Sequence, residues 1–179
     1  MYYGPYVKLG PHLYITPCFL PYFRYSVLKQ HKELIMTIHF MAAGGAFDLV
    51  YENDEAVMGP PVLQGLITTH NLLQGSFRFS NLQRLGFEEL AQETFLSSYR
   101  RFVITHDRKT ARIAAKAIED LFGEKNNKRI VLATTTKPAR DKNSDALISI
   151  GAAIGAVQIA APGIYLIEDG LCAPWRDFI

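Results

Sequence analysis

An α+β or α/β protein, with helices packed on one mixed sheet, is the fold class that this sequence predicts. Three observations predict it. Arg100 to Thr136 reads as strand, helix and strand, a β-α-β unit of about the minimum size a parallel connection needs. Segments upstream alternate apolar and polar residues between turns, as antiparallel strands do. Met1 to Arg24 carries Pro5, Pro11, Pro17 and Pro21 among Tyr2, Tyr3, Tyr6, Tyr14, Phe19, Tyr22 and Phe23, which forbids a regular helix. With 179 residues there is room for one well-buried core. Residues 1–24 therefore read as an extended N-terminal arm, and 25–179 as a single globular domain.

In chain order, the arm is expected to form short strands at Tyr6 to Leu9 and His12 to Thr16. Its aromatics demand burial, either as an edge strand on its own chain or as an assembly arm on a neighbouring subunit. Tyr25 to Glu33 suits a helix, and Ile35 to Phe40 alternates like a strand. Ala42 to Ala46, with Gly44 and Gly45, reads as a hinge too featureless for a phosphate loop. Phe47 to Tyr51 is a strand ending in the acidic turn Glu52 to Glu55, and is expected to pair antiparallel with the strand before it. Val62 to Leu73 forms a short helix weakened by Gly65. Ser76 to Ser80 is a strand with Phe77 and Phe79 on one face. Phe87 to Ser98 is a helix with Leu90, Ala91, Phe95 and Leu96 inward.

The central unit is the clearest part. Arg101 to Thr105 is a β-branched run, Asp107 caps a helix from Arg108 to Phe122, Gly123 stops it, and Arg129 to Thr134 is extended again. Ala114, Ala117, Ile118, Leu121 and Phe122 make the inward stripe, while Arg112, Lys116 and Glu119 face water. Ala146 to Ile167 then carries no charge. A membrane span is set against a buried soluble segment. Pro162, Gly163 and the acidic flank Glu168 and Asp169 favour the latter, followed by a strand from Ile164 to Ile167. Periodicity does not decide whether Ala146 to Ala160 is a helix or a pair of strands.

Composition excludes several classes. Hydrophobic residues make up 49% and charged residues 20%, values of a globular rather than a disordered chain. A net charge of +2 is too small to point to a polyanion or a membrane surface. Cys18 and Cys172 read as reduced thiols, and the histidines show no metal spacing, so no metal and no cofactor are expected. The opening MYYGPYVKLG lacks a secretory pattern, which predicts a location in the cytoplasm or in a virion.

In open α/β sheets ligands sit beyond the carboxyl ends of the strands. Those ends carry His106 and Asp107, Thr134 to Lys137, and Glu168 and Asp169. Thr110, Thr135, Thr136, Lys137 and Arg140, with the helix start at Arg108 to Thr110, could hold a phosphate or carboxylate. His106 would be the general base, with Asp107 beside it. The plainer reading is that Asp107 caps, the threonines end a strand, and Lys137 to Lys142 is a solvated loop.

Two functions follow. The favoured one is a non-catalytic subunit of a homo-oligomeric ring or tube of the phage tail or neck kind, alongside other assembly proteins. It rests on the arm, the small-residue apolar run and the missing catalytic motif. A strand, an alanine-rich helix and another strand are also used by ring-forming subunits, though only Arg100 to Thr134 matches. The alternative is a small α/β enzyme or ligand-binding protein acting on a phosphorylated or carboxylated metabolite at His106, Asp107, Lys137 and Arg140.

Overall fold

A computed structural model describes residues 7–8, 14–15, 37–73, 75–123 and 126–178. The chain divides into two compact units, Met1–Ile35 and Met36–Ile179. In the first, β1 (Val7–Lys8) pairs antiparallel with β2 (Tyr14–Ile15), both inside the segments expected to be extended. The rest of the predicted arm and the predicted helix to Glu33 lie outside the described residues.

The second unit runs β3 (Ile38–Ala42), the hairpin β4 (Leu49–Glu52) and β5 (Glu55–Met58), α1 (Leu63–Thr69), β6 (Phe77–Asn81) and α2 (Phe87–Leu96). It continues with β7 (Arg101–Thr105), α3 (Ala111–Phe122), β8 (Arg129–Ala133), α4 (Ala146–Ile159), β9 (Gly163–Glu168) and β10 (Leu171–Pro174). Six strands form one sheet in the order β10-β9-β8-β7-β3-β6. All are parallel except β10, which folds back on β9 through Asp169 and Gly170 at φ 51° and 77°.

Side chains alternate across the pleat, so the central strands β3, β7, β8 and β9 feed two cores. Phe40, Ala42, Val103, Val131, Ala133 and Ile167 pack under α1 and α4. Met41, Phe102, Ile104, Ile130, Leu132 and Leu166 pack under α2 and α3. Burial on both faces explains why the central strands read as nearly unbroken apolar runs.

Several expectations need correction. β3 does not pair with the segment after it; it lies parallel between β6 and β7. β4 pairs with β5 instead, closed by Asn53 and Asp54 at φ 50° and 66°, a turn whose twist suits a two-residue hairpin. In α2, Phe95 and Leu96 are 47% and 78% exposed, and Thr94 is buried in their place. The helix ends two residues early, where Lys128 reaches its C-terminus: Nζ donates to the carbonyls of Thr94 (2.6 Å), Phe95 (2.9 Å) and Ser97 (2.6 Å). In α3, Leu121 is exposed and Ala111 and Ala115 are buried, a rotation of the predicted stripe by part of a turn. Residues 146–159 are one helix. No helix among the described residues is long and apolar enough to cross a membrane.

The connections decide where a ligand can enter. From β3 the chain crosses the α1 face to β6, returns over the α2 face to β7, and moves on over the α3 face to β8. The step from β8 to β9 goes the same way but over the opposite face, under α4. Its hand is therefore opposite to the other three, against the right-handed rule for parallel crossovers. β3 and β7 are neighbours whose connections leave over opposite faces, and this is the topological switch point at whose carboxyl ends an open α/β sheet places its ligand crevice.

Candidate functional site

The crevice is built first from backbone. Ala43 donates its N–H to Thr105 O (3.1 Å), prolonging the ladder past the end of β3. Gly44 and Gly45 then turn the chain at φ 85° and 80°. A Cβ on Gly45 would stand 2.2 Å from Asp107 N and 2.5 Å from its Cα, so the two loops touch backbone to backbone. The segment read as a loose hinge is thus a close approach that requires glycine.

Asp48, wholly buried, fastens the base of the β4–β5 hairpin. Its Oδ1 accepts from Val62 N (2.9 Å) and its Oδ2 from Gln83 Nε2 (2.8 Å). Burial raises its carboxyl above the ordinary value, against the pull of those donors and of Arg140. Arg140 donates to the carbonyls of Asp48 (3.3 Å) and Pro60 (2.8 Å), closing the same joint.

One residue beyond the paired positions Thr105, Ala133 and Ile167 come His106, Thr134 and Glu168, all buried and side by side. The His106 ring lies against Phe87 with centroids 5.7 Å apart, and its Nδ1 is 3.3 Å from Asp107 O and 3.4 Å from Thr110 Oγ1. Burial lowers its pKa, opposed by Asp107, so the ring is neutral at pH 7 and fit to accept a proton. Thr134 Oγ1 donates to Ile167 O (2.8 Å). Glu168 Oε2 lies 3.5 Å from Arg112 and 3.8 Å from Arg108, and Oε1 is buried without a hydrogen-bond partner among the described residues. Arg108 grips Asp169 with two bonds of 2.8 and 2.6 Å, which raise its pKa. Asp107 Oδ2 accepts from Lys109 N (3.0 Å) and Thr110 Oγ1 (3.4 Å), shaping the turn before α3, whose N-cap is Thr110.

The predicted anion-binding set is divided. Thr135 and Thr136 both turn to Asp145, which accepts from Thr135 Oγ1, from Thr136 N (3.1 Å) and from Thr136 Oγ1 (3.1 Å). Burial pushes the Asp145 carboxyl up, but these bonds outweigh it and the net shift is downward. Arg140 belongs to the hairpin joint and Thr110 to His106. Lys137 is exposed and makes no ion pair among the described residues. Sequence reasoning missed Asp48, Gln83 and Asp145; only Asp145 carried a signal, standing just before the uncharged run as an N-cap does. Among the described residues no cluster of three His, Cys, Asp or Glu could hold a metal. Cys172 is exposed, with its thiol pKa raised by partial burial, so it is not an activated thiolate.

Solved structures of similar shape are L-asparaginases. The enzyme from Thermococcus kodakarensis superposes with a TM-score of 0.66 at 16% identity, over 78% of this chain and 46% of its own. L-asparaginase I from Vibrio cholerae O1 biovar eltor gives 0.64 at 16%, over 79% and 47%. A probable cytoplasmic L-asparaginase from Campylobacter jejuni gives 0.63 at 17%, over 78% and 48%. At these identities the likeness is one of fold, and the chain spans just under half the length of those structures. No protein-family model and no curated protein matches the sequence.

The fold overturns the favoured functional reading. The ring or tube subunit of the phage kind rested on the arm, the apolar run and the missing catalytic motif, with a likeness to ring-forming subunits over Arg100 to Thr134 alone, whereas the likeness to enzymes takes in nearly four fifths of the chain. With it go the expected partnership with assembly proteins and a place in a virion.

Proposed function

We propose that the chain is the sheet domain of a small α/β enzyme acting on a carboxylated metabolite in the crevice between β3 and β7. L-asparagine, named in the similar structures, is the first substrate to try. The observation that carries the reading is the contact of Gly45 with Asp107 at the topological switch point, with His106 beside it and Lys137 on the neighbouring strand's carboxyl end. Lys137, free of ion pairs among the described residues, would attract the carboxylate. Asp145, held ionised by its threonines, would face an ammonium group, and neutral His106 would take a proton. Homo-oligomerisation and a cytoplasmic location belong to the same reading.

Calorimetric titration of the full chain with L-asparagine, L-aspartate and inorganic phosphate, together with an ammonia-release assay, tests it. Binding of either amino acid that weakens at least tenfold in Lys137→Ala is the expected result. No heat and no ammonia from the wild-type chain would overturn it.

A further inference from the structure

A helix on the surface of a protein normally turns charge to water. α4 does not. Its outward residues include Leu147, Ile148 and Ile159, which are 39%, 66% and 87% exposed, and no charged residue occurs from Ala146 to Ile159. Its amide, Gln158, bends back to donate to Ile154 O (2.8 Å), and its hydroxyl, Ser149, is buried inward. Gly151 and Gly155 are exposed on the same side, and a Cβ added at either would meet nothing within 4 Å. Each costs the helix about 0.5–1 kcal/mol relative to alanine with no compensating contact among the described residues. A backbone approaching from outside would supply the contact.

We infer that α4 is the interface of a twofold dimer, packed antiparallel against α4 of a second copy of this chain. The pattern is self-complementary. Ile148, Gly151, Ala152, Gly155, Ala156 and Ile159 recur at steps of three, one, three, one and three, large at both ends and small between. The spacing and the order of sizes are the same in either direction. Antiparallel pairing therefore sets Ile148 against Ile159, Gly151 against Ala156 and Ala152 against Gly155, each contact made twice, as an isologous interface requires. With no charge on the face, nothing repels the copy. Leu147, Ile148, Ile159 and the small strip offer about 500 Å² a side, or about 1,000 Å² for the pair, at the lower limit of a specific interface. This surface lies on an outer helix face, so the inference stands whether or not the proposed activity does.

The test is absolute mass by light scattering on a sizing column, applied to the full chain up to its highest soluble concentration. A wild-type dimer that becomes a monomer in Ile159→Glu, with an unchanged circular dichroism melt, is the expected result. Because Ile148 and Ile159 meet across the axis, Ile148→Lys alone should be monomeric, and Ile148→Lys combined with Ile159→Glu should restore the dimer through two ion pairs. A monomeric wild type, or a dimer that survives Ile159→Glu, overturns the interface. Failure of the double variant to re-form the dimer overturns the antiparallel pairing of Ile148 with Ile159. Should Ile159→Glu melt early, Gly151→Arg is the second probe at the middle of the strip, with the same outcomes.

Discussion

On one face of the sheet α2 and α3 turn Glu88, Glu89, Glu93, Lys116 and Asp120 to water, while on the other α4 turns out Leu147, Ile148 and Ile159 and no charge. The difference continues inward. Beneath α2 and α3 lie His39, His106, Lys128 and Glu168, ionisable groups set among Phe87, Phe102 and Phe122. Beneath α4 the sheet presents Phe40, Val103, Val131 and Ala133. A layer that separates polar from apolar at the helical period announces which side is which. A layer that is apolar on both sides carries no such mark, and its outward face is an exposed apolar patch of the kind that marks interaction surfaces.

The largest expected effect separates the two sides of α4. Ile150 is wholly buried, so Ile150→Ala should destabilise the chain by about 2–5 kcal/mol in urea denaturation. Ile148→Ala, measured on monomeric chain, should stay within about 0.5 kcal/mol. Equal losses at both positions would mean that the outward face is already packed within the chain, and the contrast between layers would fall.

Next comes the acid side of the pH profile, which should originate in the α2/α3 layer. Burial, with help from Arg78, lowers the pKa of His39 from 6.5 to about 4. Its Nε2 meets Ser80 Oγ at 2.8 Å, and its ring lies 5.0 Å from Tyr99 and 5.6 Å from Phe102. The unfolded chain binds a proton here below pH 6.5 and the folded chain does not until about pH 4, so stability falls as pH drops through that window. Allowing for the partial exposure of the ring, the loss is about 1–2 kcal/mol. His39→Gln should flatten part of the slope, leaving what His106, also lowered by burial, contributes. An unchanged slope in His39→Gln would show that the titrating group lies elsewhere.

How much of this was legible follows from the same contrast. The unit from Arg101 to Ala133 could be read because Arg112, Lys116 and Glu119 mark one side of α3 and Gly123 marks its end at φ 56°. α4 left the choice between helix and strands open because it has no charged residue, and its two polar ones, Ser149 and Gln158, do not mark a period. The rim residues His106, Asp107, Thr135 and Thr136 were found because strand ends are local features. Their partners were not. Asp145 lies nine residues beyond Thr136, and Gln83 lies thirty-five beyond Asp48, so these bonds come from the fold and not from the neighbouring sequence. Gly45 was passed over for the same reason: its requirement is set by Asp107, on a different strand's loop.

A smaller effect is expected at the amino edge of the α2/α3 layer. Lys128 closes α2 through three carbonyls and lies 5.2 and 5.4 Å from the ring centroids of Phe102 and Phe122. Lys128→Met removes the donors but also removes a buried charge whose pKa burial and Arg100 lower to about 8. The two consequences oppose each other, so the net cost is about 1 kcal/mol. It should be local, seen as faster hydrogen exchange in the last turn of α2 and not in α4. Faster exchange spread evenly over both layers would mean that the lysine supports the whole sheet and not one helix end.

The smallest effect has the most informative sign. Gly151 sits in mid-helix with open space where its Cβ would be, so Gly151→Ala should raise the stability of the monomer by about 0.5–1 kcal/mol through helix propensity and a less flexible unfolded chain. An alanine there also stands between two backbones if α4 packs on a second α4, so the same substitution should weaken the dimer. One change would then move folding and association in opposite directions, which neither a solvated helix face nor a face already covered within the chain can produce. Denaturation at a dilution where the chain is monomeric, set beside light scattering at high concentration, separates the two. A gain in stability with no loss of association would place the strip outside any interface, and leave its glycines without a physical reason.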